Sequence, residues 1–222
     1  MAYTGERTPD VNFCGSSKEA MRIVRENTYK LASRIKQKSH RYYFWLDDTQ
    51  HNSCHCPGCS GKSYSDQSVL ILNEMLKGLK EYDPEATLAY LAYRDSLKPP
   101  TIKPDPDLFL EFAPIERDLT KPLDDQPDSP VIKQLDDLLE VFDKDTAHIL
   151  EYWFDDSLFS HYKKPPIKLP FYDKVMEQDV KIYTSRGISF ITSFGAFLGP
   201  TYMRLHGIPP IDKYGDILYN AK

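Results

Sequence analysis

The sequence has no run of 18 apolar residues, which excludes a membrane-crossing helix of ordinary length. It has no lysine- or arginine-rich tract either. With 28 basic against 33 acidic side chains and a formal net charge of -5, nothing marks a nucleic-acid partner. No glycine-rich loop follows any apolar run, so a nucleotide-phosphate site of the Rossmann kind is unsupported. Four cysteines in a chain of 222 residues are too few for a disulfide framework. The opening residues Met1-Ala2-Tyr3-Thr4-Gly5-Glu6-Arg7 are polar and lack the apolar core of a secretion signal, and a cytoplasmic protein is the expectation for the chain as given.

Aromatic residues, by contrast, are plentiful: 15 Tyr, 11 Phe and 2 Trp. They suit an aromatic-lined cleft for a carbohydrate and equally suit a well-filled core. One stretch organises the rest. Tyr42-Tyr43-Phe44-Trp45-Leu46 runs without a polar break, as a strand covered on both faces would. It ends in Asp47-Asp48, and the loop beyond carries His51, Cys54, His55, Cys56 and Cys59. In α/β proteins the chemistry sits where parallel strands end.

The chain around it alternates. After an irregular lead-in to about residue 15, Ser16 is the expected N-cap of a helix reaching about Lys38, with Glu19 as capping-box partner and Ala20, Ile23, Val24, Leu31 and Ile35 on its apolar stripe. A strand follows at about 41–46. Ser65-Asp66-Gln67 is read as the cap of a helix over about 67–82. Further strands are expected at 87–93, 108–112, 147–154 and 187–194, with helices at about 130–143 and 171–186 and a partly helical tail broken at Pro209-Pro210. This βα order predicts an α/β fold with about five parallel strands. An open doubly wound sheet and part of a (β/α)8 TIM barrel both fit, and the missing phosphate loop favours the barrel. A full barrel needs roughly 250 residues, so residues 1–222 are expected to form a single domain without the early barrel strands, to be completed by an upstream segment.

The segments FWLDD…CHCPGC, SDQSVLILNEMLKGL, ATLAYLAY, DLFLEFAPIERD, ILEYWFDDSLFSHYKKP and GISFITSFGAF resemble a group of bacterial proteins described as a domain of unknown function with a glycosidase-like barrel. The resemblance covers nearly all of residues 12–220. It implies glycoside-hydrolase ancestry and a carbohydrate as the ligand, and it implies the C-terminal portion of a longer barrel.

The candidate chemistry rests on acids at strand ends. Glycoside hydrolysis takes one carboxyl group to protonate the leaving oxygen and a second to act as base, as nucleophile or as an orienting group. Asp48 is the candidate acid and Asp47 the orienting carboxylate. Neighbouring residues of a regular strand point to opposite faces, so both can serve only if the strand has ended by Asp47. Tyr93, Arg94, Glu111, Glu151, Tyr152 and Trp153 are the candidate substrate-binding residues. Glu151 lies within an apolar strand and needs a partner, either a ligand or an arginine such as Arg94 or Arg117. Cys54, Cys56 and Cys59 supply three thiols in six residues. With Cys14, His51 or His55 as the fourth ligand they could hold zinc; packed thiols and a Cys54–Cys59 disulfide are the alternatives. Hydrolysis of a sugar and non-catalytic sugar binding or scaffolding both remain open to a chain of this kind.

Overall fold

The computed structural model describes residue 6, residues 12–48, residue 51 and residues 53–221. Most of the expected lead-in, and Thr49, Gln50 and Asn52 of the loop after the aromatic run, lie outside them. The elements are α1 (Lys18–Arg34), β1 (Arg41–Tyr42), α2 (Tyr64–Tyr82), β2 (Thr87–Ala92), β3 (Leu108–Phe112), α3 (Val131–Leu139), β4 (His148–Glu151), α4 (Asp156–Phe159), α5 (Asp173–Ser185), β5 (Phe190–Ser193), α6 (Pro200–His206) and α7 (Ile211–Asn220). The strands stand in the sheet in chain order, and helices separate all but β2 and β3. The fold is therefore α/β, with five parallel strands, consistent with part of a TIM barrel. Two compact units make up the chain, one of Met1–Glu111 with Gln134–Asp143 and one of Phe112–Lys133 with Lys144–Lys222.

In the first unit α1 starts one residue later than expected. Ser17, in extended backbone, accepts the amide of Ala20 at 3.2 Å. Ser16 is not the cap because its hydroxyl is occupied elsewhere, 3.3 Å from the sulfurs of Cys56 and Cys59. The buried stripe of α1 is Met21, Val24, Thr28 and Ala32, whereas Ile23, Leu31 and Ile35 are exposed; the expected stripe was turned by about one residue. The helix ends at Arg34, where the amide of Ile35 closes on Leu31 O. α2 opens on a capping box between Ser63 and Asp66. The polar trio Ser65-Asp66-Gln67, expected as the cap, is instead the buried first turn, each member bonded to a loop.

α1 and α2 meet closely at Gly78. A methyl group there would lie 2.3 Å from the Arg25 carbonyl oxygen, so only hydrogen fits. The parallel pairing of β1 with β2 covers two residues, Arg41 opposite Thr87 and Tyr42 opposite Leu88. This corrects the expectation of a six-residue strand covered on both faces. β1 has a single neighbour in the sheet, and from Tyr43 onward the backbone leaves the ladder, exposing Tyr43 and Trp45 while Tyr42 is buried.

In the second unit β4 pairs in parallel with β5, His148 opposite Phe190 through Glu151 opposite Ser193. All four residues of β4 are buried. The strand stops at Glu151, earlier than expected, because the chain turns, Asp155 N donating to Tyr152 O. β5 starts late because Gly187, at φ +85, and Ile188, bonded to Tyr183 O, still belong to the end of α5. α5 packs Val175, Met176, Val180 and Tyr183 inward, and the tail forms α6 and α7 on either side of Pro209-Pro210.

Candidate functional site

Where β1 and β2 end, the first unit carries a small hollow lined by Trp45, Asp47, Asp48, Tyr64, Tyr93 and Ser96 among others. The strand has indeed ended before Asp47, and both acids are exposed. The enclosed part measures about 30 Å³, room for a water molecule or two, and larger groups would lie on its open side. Trp45 is 45% exposed, yet its indole is not loose: Nε1–H donates at 2.7 Å to Oε2 of Glu111, itself buried in β3. Glu111 thus reaches the hollow through Trp45. The other side of Trp45 faces an apolar groove that includes Phe13, Ile23, Leu31 and Met75.

The rim is held by a short network. Asn12 accepts the Asp47 amide at 2.9 Å and donates to the Tyr64 hydroxyl at 3.0 Å, while Tyr64 donates to the Asp47 carbonyl at 3.4 Å. At the end of β2 the Ser96 hydroxyl accepts the Tyr93 amide at 2.9 Å and donates to Leu91 O. Arg94, at φ +47, lays its guanidinium 5.0 Å from the Tyr93 ring centre. An aromatic face beside two exposed carboxylates can receive the apolar face of a polyol while the acids accept its hydroxyls.

Beside this hollow the four cysteines meet. Cys14, Cys54, Cys56 and Cys59 offer sulfurs that all lie within 4.8 Å of one another, and none is in a disulfide. This set can hold a metal ion such as zinc. Cys14, 40 residues upstream of Cys54, is the fourth member; His51 instead turns to Asp95, whose Oδ2 accepts its amide at 2.7 Å. The Ser16 hydroxyl is the foremost cause holding the Cys56 thiol down at about 6, and burial pushes Cys59 up to about 11.

The second unit holds Glu151, Tyr152 and Trp153 in its interior. Arg117 and Glu151 pair at 2.7 Å with both side chains 0% exposed, and Arg117 also pairs with Asp179 at 2.7 Å. Of the two arginines considered for Glu151, the structure selects Arg117. Tyr183 donates to Glu151, and the Trp153 indole, 4% exposed, donates to Asp179 at 2.9 Å. Burial pushes the Asp179 carboxyl up despite Arg117, because one cation serves two carboxylates. These groups bind one another in the interior, so Trp153 is a core residue of this unit and Glu151 a buried ion-pair partner.

Sequence reasoning passed over Asn12, Tyr64 and Asp179, which are polar residues with no motif of their own, and read Gln67 only as part of a helix cap. Trp45 had a signal: a tryptophan near the end of an apolar run, one residue away from paired acids.

Parallel strands with intervening helices make this an α/β fold consistent with part of a TIM barrel, and a small hollow lies at a strand end. The family described as "Domain of unknown function (DUF4838)" matches residues 1–203, and the chain belongs to it. No curated protein and no solved structure matches the chain.

Proposed function

We propose that the hollow at the end of β1 is a carbohydrate site, with Trp45 as the stacking platform and Asp47 and Asp48 as acceptors for sugar hydroxyls. The observation that carries this reading is the Trp45–Glu111 hydrogen bond, which fixes a half-exposed indole beside two carboxylates. An aromatic face ordered before the ligand arrives loses little entropy on binding. Tyr93 lines the same hollow and supplies a second aromatic ring, with the Arg94 cation stacked against it.

A hydrolytic form of the reading gives Asp48 the role of general acid and Asp47 that of orienting carboxylate. Its support is that both acids follow the end of the strand and are exposed on one loop. A panel of nitrophenyl glycosides separates the two forms. Hydrolysis lost in Asp48→Asn supports the acid role. Equal rates in both proteins remove it and leave binding alone.

A further inference from the structure

We propose that Cys14, Cys54, Cys56 and Cys59 bind one Zn²⁺ as a closed four-thiolate centre, and that through Cys14 this centre seats the segment that holds the rim of the hollow. Zn–S bonds of about 2.3 Å in a tetrahedron put sulfurs about 3.8 Å apart. The Cys14 sulfur lies 3.4 Å from that of Cys56 and 3.8 Å from that of Cys59. Disulfide bonding would need about 2.05 Å.

The surroundings are built to hold this arrangement. Gln67 of α2 accepts the Cys54 amide at 2.8 Å and donates to Lys62 O at 3.2 Å, clamping both ends of the loop. Within it Cys56-Pro57-Gly58-Cys59 folds back, the amides of Cys59 and Ser60 both donating to Cys56 O at 2.9 Å. A side chain on Gly58 would strike Ser16 Oγ at 2.5 Å, so glycine is required where the turn closes on Ser16. The Ser16 hydroxyl is 3.2 Å from the Cys14 sulfur and 3.3 Å from those of Cys56 and Cys59, a donor shared among thiolates. Four sulfurs leave no open coordination position, which makes the centre structural. Each thiol gives up its proton to solvent as it ligates.

Two residues before Cys14 stands Asn12, the residue that bonds the Asp47 amide and the Tyr64 hydroxyl. The metal would therefore tie the N-terminal segment to the loop and order the rim. The test needs no sugar, so it stands or falls separately from the carbohydrate reading. Metal analysis of the full chain purified under reducing conditions should give about one zinc per chain, falling below about 0.2 in Cys56→Ser. Cobalt added to the zinc-free protein should give the intense thiolate-to-metal charge-transfer bands of a tetrahedral site, weakened in Gly58→Ala. Hydrogen exchange at the Asp47 amide should speed up about tenfold or more on chelation, and equally in Asn12→Ala, which keeps its zinc. No zinc in the reduced protein, iron in its place, or a disulfide among the four would overturn the metal site. Full zinc with Asp47 exchange indifferent to its removal would overturn the tether.

Discussion

A buried arginine with two buried carboxylates makes the second unit strongly dependent on a single residue. Arg117 reaches Glu151 and Asp179 at 2.7 Å each, with no solvent contact for the paired side chains of Arg117 and Glu151. Arg117→Met leaves two acids without their cation and is expected to cost about 3–5 kcal/mol, measured by urea denaturation. Asp66 offers a pH test at the same scale. Burial raises its pKa, but the amides of Ile102 and Thr101 and the Ser63 and Thr101 side chains outweigh it and hold the carboxyl below its usual range. The stability from its charge is complete above the unfolded value of about 3.9 and is lost as pH falls through the lower folded value. Asp66→Asn should therefore be less stable than the parent at pH 7, and the gap should narrow below about pH 4. A gap constant down to the acid end would contradict this assignment. At this scale the sequence was an uneven guide. Glu151 was legible as needing a partner, and Arg117 as one of two choices, because an acid in an apolar strand is costly alone. Asp179 was invisible, since a single acid on an amphipathic helix looks like any exposed one.

Among the elements, α1 and α2 carry the first unit, and Gly78 sets how closely they approach. Gly78→Ala should destabilise by about 1–3 kcal/mol despite alanine's better helix propensity, because the added methyl meets backbone rather than a side chain that can move. Thermal unfolding checks it, and a stabilised variant would refute the packing account. The order and kind of the elements could be read from apolar runs and turn residues alone. The caps could not. Ser16 and the trio Ser65-Asp66-Gln67 have the residue types of helix caps, but Ser16 faces sulfur, the cap itself is Ser63 with Asp66, and the trio anchors two different loops. Local chemistry proposes such residues as caps; tertiary partners decide otherwise. The length of β1 misled for a similar reason. A run of aromatic residues was read as a strand buried on both faces, whereas Tyr43 and Trp45 within it are exposed.

The whole molecule is an α/β chain of five parallel strands in the DUF4838 family. Its candidate site belongs to the first unit alone, where the end of β1, the thiol cluster and the opening turn of α2 adjoin. The second unit holds Glu151, Asp179 and Trp153 inside. The two tryptophans thus occupy opposite environments, 45% and 4% exposed, and this allows a direct reading of the central claim. Tryptophan fluorescence is titrated with a panel of oligosaccharides, with acrylamide as quencher, in the parent and in Trp45→Phe. The account predicts that at least one sugar shifts the emission and shields the parent from acrylamide, and that Trp45→Phe shows neither effect. A panel that leaves the parent unchanged, or a sugar response that survives the loss of Trp45, would contradict it.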